Sequence, residues 1–217
     1  MDKVITNDGS LTYYNDKFSE HYHSISGAKE EALKKFILPS LKYLNFGEKN
    51  IIRILDVCFG LGYNTSAAID EIKKRFNIKI EIIALENDIN ILNNILDNNV
   101  DFESYDLIKK CVNNNYFYED DNLSIKIILG DGIENINKIK GNFDLIFHDP
   151  FSKTKMPDFW TEDFFKKEFN LLNKGGILTT YSCARNVRDN LKKVNFKIHD
   201  VEPVGRRAPS TLAIKPL

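Results

Sequence analysis

A glycine-containing turn is followed along the sequence by three widely separated acids. The segment D-V-C-F-G-L-G-Y-N spans residues 56–64 and contains Gly60 and Gly62, where the backbone can bend sharply and approach a ligand closely. The acids follow at Glu86, Asp131 and Asp149. A carboxylate at the first of these positions can accept both ribose hydroxyls, and one at the second can accept from an adenine amino group.

The turn lacks the third glycine of the dinucleotide fingerprint G-x-G-x-x-G, because Thr65 occupies that position. The pattern therefore disfavours a pyrophosphate and fits a loop that surrounds an amino acid and a ribose. Taken singly, Glu86 or Asp131 is better explained as a helix cap or a solvated acid. Because the turn and the acids come in order, each at the end of a predicted strand, we interpret them together as one nucleoside site.

Alternating strands and helices predict the scaffold that brings these segments together. The predicted strands are 51–57, 80–86, 123–129, 143–148, 177–181, 196–201 and 211–214. The predicted helices are 28–44, 63–75, 88–97, 131–139, 161–172 and 186–194. We expect Pro39 to kink or restart the first helix, and Asn64 or Thr65 to cap the second. We expect Asp88 and Thr161 to cap later helices, and glycines 175 and 176 to end the fifth.

Strands that alternate with helices form a mostly parallel sheet covered on both faces. The last two predicted strands fit an antiparallel pair at its edge. The sequence therefore predicts an α/β fold with a mostly parallel seven-stranded sheet and an antiparallel edge. Polar and aromatic residues up to about Gly27 predict a short hairpin or irregular cap. We divide the chain into residues 1–45, the cap and first helix, and 46–217, the domain that holds the site.

The bulk composition is that of an ordinary globular protein. Of 217 residues, 42% are apolar and 28% are charged, and 30 basic residues against 31 acidic ones give a net charge of −1. A nucleic-acid partner would therefore require basic residues concentrated on one face. Three widely spaced cysteines favour free thiols in a reducing compartment, and no apolar run approaches the roughly 20 residues that span a bilayer. We expect a cytoplasmic protein with no metal and no membrane contact.

Longer motifs resemble those of one enzyme family. They are T-N-D-G-S-L-T from Thr6, H-Y-H-S from His21 with Gly27, Ala28 and Glu31, residues 56–64, D-P-F-S from Asp149, P-D-F-W-T from Pro157 with Phe164 and Phe165, G-G-I-L-T-T-Y-S from Gly175, V-R from Val187, and G-R-R from Gly205. With them the chain resembles, over nearly its whole length, the methyltransferase half of the bifunctional tRNA-modifying enzyme MnmC and its stand-alone relatives, called MnmD. The Y-H-S-x-x-G-A and T-Y-S motifs are far more specific than the G-x-G turn.

The resemblance implies a Rossmann-like class I methyltransferase fold with S-adenosylmethionine (SAM) as cofactor. It implies methylation of the exocyclic amine of 5-aminomethyluridine, or its 2-thio derivative, at the wobble position of tRNA, with the anticodon stem-loop as partner. Flavin is not expected, because the oxidoreductase domain of the bifunctional members is not part of this sequence. The chain departs from the family at Cys58, where glycine is common, and at Lys153, where proline is usual.

The turn, the acids and the resemblance together define the expected contacts. Cofactor binding is expected of Asp56, Phe59, Gly60, Gly62, Asn64, Glu86, Asp131, Gly132 and Asp149. Substrate contacts are expected of Tyr22, His23, Ser24, Phe151, Tyr181, Arg188, Arg206 and Arg207. Asp149 is the catalytic candidate, because a carboxylate there can accept the amine proton or hold the ammonium. The alternative is that Asp149 only binds the methionine amino group or caps a turn.

Aromatic and basic residues could contribute to RNA binding. Phe151 and Trp160 could stack on a flipped base, although core packing is the stronger interpretation for Trp160. The basic candidates for phosphate binding are Arg185, Arg188, Lys192 and Lys193 on one helix, and Arg206 and Arg207 later. The alternative is an ordinary solvated face. Likewise, residues 21–24 either cover the ligands, as the resemblance suggests, or only close the sheet edge.

The sequence leaves three other functions open. The first is a small-molecule amine N-methyltransferase with the same cofactor site, which the near-neutral net charge mildly favours. The second is an aminopropyltransferase-like enzyme, which shares the fold and uses a decarboxylated cofactor. The third is a non-catalytic RNA-binding module on a nucleotide-binding fold, against which Asp149 and the intact turn argue.

Overall fold

A computed structural model describes residues 2–47 and 49–217. The chain begins with a small antiparallel sheet of three strands, β1 (Asp2–Ile5), β2 (Leu11–Asn15) and β3 (Glu20–His21). The carboxylate of Asp8 accepts hydrogen bonds from the amides of Ser10 and Glu30, both at 3.0 Å, and so joins this sheet to the following helix. The sheet stands where the sequence predicts a hairpin or irregular cap. The division at residue 45 stays a prediction.

The first helical stretch contains a wide turn in its middle. It consists of α1 (Ala28–Glu31), a π-helical turn (Ala32–Ile37) and α2 (Leu38–Tyr43). Pro39 accounts for the wide turn, because proline has no N–H to donate and its ring collides, in α-helical geometry, with the carbonyl of Lys35 four residues earlier. The helix therefore accommodates Pro39 by widening, where the sequence predicts a kink or a restart.

A second sheet of eight strands forms the centre of the molecule. Its strands are β4 (Ile51–Val57), β5 (Lys79–Glu86), β6 (Phe117–Glu119), β7 (Leu123–Leu129), β8 (Phe143–His148), β9 (Leu172–Thr180), β10 (Lys197–Val201) and β11 (Ser210–Ile214). Across the sheet the order is β10-β11-β9-β8-β4-β5-β7-β6. The strands from β9 to β7 run parallel, and β6, β10 and β11 pair antiparallel. The mostly parallel α/β fold with an antiparallel edge is confirmed.

Helices cover both faces of this sheet. They are α3 (Tyr63–Arg75), α4 (Ile89–Leu96), α5 (Tyr105–Asn113), α6 (Gly132–Asn135), α7 (Glu162–Leu171) and α8 (Arg185–Lys193), with short 3-10 turns at Ile136–Lys138 and Pro157–Trp160. No helix in the described part of the chain is long and apolar enough to cross a bilayer. Because both faces are covered, the central strands are continuous buried runs, and every residue of β8 is buried.

The order of the parallel strands reverses between β4 and β8. From β4 the chain continues to β5 on one side, and β8 pairs with β4 on the other. In open α/β sheets such a reversal leaves a crevice beyond the carboxyl ends of the strands, and ligands bind there. We therefore expect a ligand site among the residues that follow β4, β5 and β8.

Three sequence predictions are wrong: the number of strands in the central sheet, the cap of α3 and the end of α7. Within residues 2–47 and 49–217 the central sheet has eight strands and not seven. The sequence did not indicate β6, because this strand is only three residues long and exposes Phe117, so it has no apolar pattern. Gly62, in the left-handed region at φ 75°, precedes α3 and replaces the predicted side-chain cap. Helix α7 ends at Leu171, and glycines 175 and 176 lie inside β9, where they exchange backbone hydrogen bonds with Lys215.

Two predicted helix caps are confirmed. The side chain of Asp88 accepts a hydrogen bond from the Asn90 amide at 2.9 Å, at the start of α4. The side chain of Thr161 accepts from the Phe164 amide at 3.2 Å, at the start of α7. These caps satisfy amide groups that a helix leaves unpaired in its first turn.

Buried Asp144 connects three parts of the sheet at the amino end of β8. Its Oδ1 accepts hydrogen bonds from Lys49 Nζ at 2.7 Å and from Asn173 Nδ2 at 2.9 Å. Its Oδ2 accepts from the Arg53 amide at 3.0 Å. The side chain is 5% exposed, so this carboxylate depends on these donors for the hydrogen bonds that water would otherwise provide.

Replacing Asp144 with alanine should lower the free energy of unfolding by about 2–4 kcal/mol, because three donors lose a charged acceptor. Urea unfolding followed by circular dichroism measures the change. Asp189→Ala removes a half-exposed carboxylate from α8 and is the matched control, with an expected change below about 0.5 kcal/mol. A loss for Asp144→Ala below about 1 kcal/mol would show that this network contributes little.

Candidate active site

A cavity of about 390 Å³ opens at the carboxyl ends of the parallel strands. Its walls come from the N-terminal sheet and the helix after it, from the turns after β4 and β5, and from the loops after β8 and β9. The predicted site residues that line it are Tyr22, His23, Ser24, Phe59, Gly60, Glu86, Asp149, Phe151, Tyr181 and Arg206. Segments more than a hundred residues apart in the sequence therefore meet in one place.

The turn after β4 has the left-handed backbone that its glycines permit. Cys58, Gly60 and Gly62 have φ values of 65°, 57° and 75°. A side chain on Gly62 would place its Cβ 2.7 Å from the ring of Phe59, so only glycine fits there. Cys58 holds a left-handed conformation without that freedom, and its side chain lines the cavity.

Glu86 connects this turn to the end of β5. Its Oε2 accepts a hydrogen bond from the Gly60 amide at 2.7 Å, and its Oε1 accepts from the amides of Asn87 and Asp88, both at 2.8 Å. Burial raises the pKa of the Glu86 carboxyl above its ordinary value, and these amide bonds partly oppose the rise. The carboxylate is thus fixed in direction at the floor of the cavity.

Asp149 lies next to the glycine turn and is partly buried. Its amide donates to the carbonyl of Val57 at 3.1 Å, and its Oδ2 accepts from Asn64 Nδ2 at 2.9 Å. Burial, and next the charge of Glu31, raise the pKa of the Asp149 carboxyl well above its ordinary value, while the charge of Lys35 lowers it. A carboxylate in this setting is a stronger proton acceptor than one in water.

The N-terminal sheet covers the cavity through Tyr22. The hydroxyl of Tyr22 donates to Asp88 Oδ2 at 2.8 Å and accepts from Asn15 Nδ2 at 2.9 Å. Its ring meets that of Phe151 edge-on at 5.0 Å between centroids, and a Cβ on Gly60 would lie 3.4 Å from it. Tyr22 therefore contacts both the glycine turn and the loop after β8.

A second contact joins the N-terminal sheet to the loop after β8. The carboxylate of Glu20 accepts from the amide of Ser152 at 2.9 Å and from its hydroxyl. Phe18 packs its ring 4.9 Å from that of Phe151. Glu20 and Phe18 both line the cavity, and the sequence prediction missed them because their partners lie more than 130 residues away.

His23 lines the cavity as a neutral imidazole. Burial lowers the pKa of His23 to about 4, so the ring carries no charge at neutral pH. The amide of His23 donates to Thr12 Oγ1 at 3.0 Å, and its ring packs 4.7 Å from that of Tyr63. Its Nδ1 has no hydrogen-bond partner among the described residues.

Three predicted cofactor contacts lie behind the cavity wall. Asp56 is fully buried and accepts a hydrogen bond from Thr65 Oγ1 at 2.7 Å, which fixes the start of α3. Burial raises the pKa of Asp56 to about 7. Gly62 shapes the turn, and Asn64 holds Asp149, so both act on the cavity through their neighbours.

Other predicted residues lie outside the lining. Exposed Asp131 caps α6 by accepting from the Ile133 amide at 2.7 Å, and Gly132 follows it. Arg188 donates to Thr211 Oγ1 at 2.9 Å and pairs with Asp200 at 2.6 Å. The remaining residue, Arg207, is exposed. Their ligand roles stay predictions.

Trp160 packs in the core, the interpretation that the sequence favoured. Its side chain is buried, and its Nε1 donates to the carbonyl of Phe151 at 2.9 Å. It therefore supports the loop after β8 from below. Tyr181 supports the same loop, because its hydroxyl donates to the carbonyl of Pro150 at 3.0 Å.

A buried ion pair in the cavity wall received no role from the sequence. Glu31 Oε1 and Lys35 Nζ are 2.5 Å apart, and both residues line the cavity. A signal was present, because Lys35 follows Ala28 by seven residues and Ala32 by three, which places it on the apolar face of the first helix. A lysine on such a face is rarely buried without a partner.

Comparison with known proteins identifies the family. A family model described as S-adenosyl-L-methionine-dependent methyltransferase matches residues 96–216, which include Asp149. The crystal structure of MnmC2 from Aquifex aeolicus superimposes with a TM-score of 0.82 at 31% identity, and covers 100% of this chain and 72% of that one. The chain belongs to this SAM-dependent methyltransferase family. The match to MnmC2 extends the relationship to the glycine turn and the N-terminal sheet.

Longer proteins also resemble this methyltransferase. MJ0670 from Methanocaldococcus jannaschii is 32% identical over 98% of the chain, which spans 59% of that protein. The tRNA 5-methylaminomethyl-2-thiouridine biosynthesis bifunctional protein MnmC from Leptospira interrogans is 29% identical over 94% of the chain, which spans 34% of that protein. The methyltransferase thus corresponds to roughly a third to three fifths of these relatives.

The charges of the methyltransferase cavity fit SAM. The ligand has a sulfonium and an ammonium group against one carboxylate, so it carries a net positive charge. The acidic residues of the lining are Glu20, Glu31, Glu86 and Asp149, and the lysine and arginine residues are Lys35 and Arg206. Buried carboxylates lower their free energy by gaining a cation. Because Gly60 has no side chain, a ligand has room to lie directly against the backbone of the turn.

Among the described residues, no group of three or more His, Cys, Asp or Glu side chains is arranged to hold a metal ion. The carboxylates that line the cavity are instead suited to accept from hydroxyl and ammonium groups, and Lys35 and Arg206 are suited to donate to a carboxylate.

Because burial raises the pKa of Asp56 from 3.8 to about 7, the folded chain holds a proton there that the unfolded chain releases. Stability should therefore fall as pH rises between these two values. Asp56→Asn keeps an acceptor for Thr65 and removes the titration, so between pH 5 and 6 it should lessen that fall by up to about 1.4 kcal/mol per pH unit.

Urea unfolding of both proteins at each pH measures this difference. The exposed Asp189→Asn is the control and should leave the pH dependence unchanged. Equal pH dependence in wild type and Asp56→Asn would show that Asp56 titrates normally in the folded protein.

Proposed function

We propose that this methyltransferase methylates the exocyclic amine of 5-aminomethyluridine, with or without a 2-thio group, at the wobble position of tRNA. The name of the Leptospira relative contains the product of that reaction, and the chain aligns with MnmC2 along its full length. The observation that carries the proposal is the carboxylate of Asp149, whose pKa is raised by desolvation, in a cavity whose wall includes the aromatic ring of Phe151. The same proposal places the protein in the cytoplasm with its tRNA.

The glycine turn and the acids after it would hold SAM. The Gly60 backbone would contact the ligand closely, and the Glu86 carboxylate would accept from the ribose hydroxyls. Asp131, at the start of α6, would accept from the adenine amino group, with Gly132 beside it. Phe59 would pack on the nucleoside, while Asp56, Gly62 and Asn64 would keep the turn and Asp149 in place.

Asp149 would act on the amine of the substrate. A primary amine is mostly protonated at neutral pH, and bound SAM supplies an electrophilic methyl group on its sulfonium. The Asp149 carboxylate would accept the proton of the ammonium, which frees the nitrogen lone pair to form the new N–C bond as the C–S bond breaks. Asn64 binds Oδ2, which leaves Oδ1 of Asp149 available for this proton. Positioning of the amine would contribute much of the acceleration.

Aromatic residues would hold the modified base. Phe151 and Tyr22 present adjoining rings at the cavity, and unstacked bases bind well on aromatic faces. The hydroxyl of Tyr181 fixes the Pro150 carbonyl, so the loop that carries Phe151 is held from both sides. His23 and Ser24 would complete the wall on the side of the N-terminal sheet.

Basic residues at the cavity mouth would contact the anticodon stem-loop. Arg206 lines the cavity, and the neighbouring Arg207 is exposed beside it. Arg185, at the start of α8, pairs with Asp189 at 3.8 Å and is 96% exposed, so a phosphate could still reach its guanidinium. Arg188 is less suited to phosphate, because its guanidinium is engaged by Thr211 and Asp200.

The purified protein should transfer a tritiated methyl group from SAM to tRNA that carries 5-aminomethyluridine, and not to an unmodified transcript of the same sequence. Filter binding followed by nuclease digestion and chromatography identifies the labelled nucleoside. Label in polyamines or free amino acids, with none in tRNA, would contradict the proposal and indicate a small-molecule amine methyltransferase.

Asp149→Asn should lower kcat for the modified tRNA by about 100-fold or more, because an amide cannot accept the amine proton. Single-turnover assays at saturating SAM measure the rate, and calorimetry with S-adenosylhomocysteine checks that the site is still formed. Asp163→Asn, on the exposed face of α7, is the control and should keep the wild-type rate. A near wild-type rate for Asp149→Asn would remove the proposed role.

Arg207→Ala should raise KM for tRNA by about threefold or more, because one phosphate contact is worth roughly that much, while the Kd for SAM stays constant. Steady-state kinetics at several salt concentrations test this, and the salt dependence should weaken along with binding. Arg75→Ala, at the end of α3, is the matched control. Equal KM values for the two variants would show that Arg207 does not contact the RNA.

A further inference from the structure

Lys35 is a buried lysine in the wall of a cavity that is otherwise mostly acidic. Its side chain is 4% exposed, and it lies on the π-helical turn Ala32–Ile37. Its partner among the described residues is Glu31, whose Oε1 is 2.5 Å from Lys35 Nζ. An ammonium group has three N–H donors, so two remain for a ligand.

The orientation of this pair is fixed from both ends. Glu31 Oε2 accepts from the Ser24 amide at 2.8 Å, so the carboxylate cannot rotate away from the cavity wall. Pro39 forces the wide turn that carries Lys35, and such turns occur often at functional sites. A buried ion pair rarely stabilises a protein more than apolar side chains would, so its stabilising effect alone does not explain Lys35.

Arg206 is the other lysine or arginine of the lining, and it is already engaged. Its guanidinium donates to the carbonyl groups of Tyr181, Ala208 and Pro209. It lies in an exposed loop, whereas Lys35 lies inside the protein beside Asp149, whose pKa responds to its charge. Lys35 is therefore the cation that a deeply bound anionic group would meet.

We propose that Lys35 binds the carboxylate of the methionine part of SAM and makes the site specific for SAM over its decarboxylated form. The methionine head group has an ammonium beside a carboxylate, and Glu31 with Lys35 presents the complementary pair of charges. Decarboxylated SAM retains the ammonium, the sulfonium and the adenosine, and lacks only the group that Lys35 would bind. This inference depends on SAM as the ligand and not on tRNA as the acceptor.

The carboxylate of SAM would accept from the two N–H donors of Lys35 that do not bind Glu31. Two N–H donors of Lys35 would form charge-assisted hydrogen bonds in a site with little water, where such bonds are strongest. Without a carboxylate, the ligand would leave these donors unsatisfied in the wall. Lys35 would thus separate the chemistry of this enzyme from that of an aminopropyltransferase on the same fold, because only the cofactor's carboxylate differs.

Calorimetry with SAM and with decarboxylated SAM tests this assignment. Wild type should bind SAM at least about tenfold more tightly, since a charge-assisted contact is worth at least that factor. Lys35→Met should weaken SAM by about tenfold or more and leave decarboxylated SAM unchanged or slightly tighter, because Glu31 then attracts the ammonium alone. Equal weakening of both ligands, or an unchanged preference for SAM, would overturn the proposal.

Matched variants separate this role from folding. Lys34→Met removes the neighbouring lysine, which pairs with Glu30 at the same spacing but on the exposed face, and it should keep both affinities. The double variant Glu31→Gln with Lys35→Met leaves no unpaired buried charge and should also lose the preference for SAM. A lost preference in Arg206→Ala, with Lys35→Met behaving as wild type, would assign the carboxylate to Arg206 and overturn the proposal. No tRNA enters these measurements, so failure of the proposed acceptor leaves them unaffected.

Discussion

The hydrogen bond between the Gly60 amide and Glu86 joins the ends of β4 and β5 at the floor of the cavity. Parallel strands bring their carboxyl ends to one edge, but they do not by themselves fix the loops that follow. Here the Glu86 carboxylate accepts hydrogen bonds from three amides, that of Gly60 in the glycine turn and those of Asn87 and Asp88 after β5. The position of the glycine turn relative to β5 depends on this arrangement.

The site also brings together acids whose desolvation costs free energy, and a cationic ligand can offset that cost. Glu86, Asp149 and Asp56 are acids with little exposure to water, and burial raises the pKa of each. Removing carboxylates from water costs free energy unless cations or donors replace it. A sulfonium with an ammonium supplies two positive charges at this place. The desolvation of these acids would therefore favour the binding of SAM.

Much of the scaffold could be predicted because its signals are local. Apolar runs predicted the parallel strands. Asp88 and Thr161 predicted the starts of two helices, because aspartate and threonine are common N-cap residues. Acids at strand ends revealed Glu86 and Asp149, since topology alone brings strand ends together. The short strand β6 has no such pattern, and Pro39 could be read as a disruption but not as a wide turn.

Contacts between distant segments could not be predicted in the same way. Nothing within the sequence near Glu20 indicates that Ser152 is its partner, and Lys35 gave only the weak signal of a charge on an apolar face. Such pairs follow from how the N-terminal sheet packs on the loops, which is a property of the folded chain. Reasoning from strand ends therefore found Glu86 and Asp149, and the family resemblance found Tyr22, His23 and Ser24 in the opposite wall. Neither indicated a role for Glu20 or Lys35.

Cys58 has a chemical consequence for an enzyme that handles a reactive methyl group. Its thiol lines the cavity, and thiolates are good nucleophiles toward alkylating agents. Burial, followed by the charges of Glu86 and Asp149, raises the pKa of this thiol well above its ordinary value. The sulfur consequently stays protonated at neutral pH, and a protonated thiol is a much weaker nucleophile toward the methyl group of SAM than a thiolate.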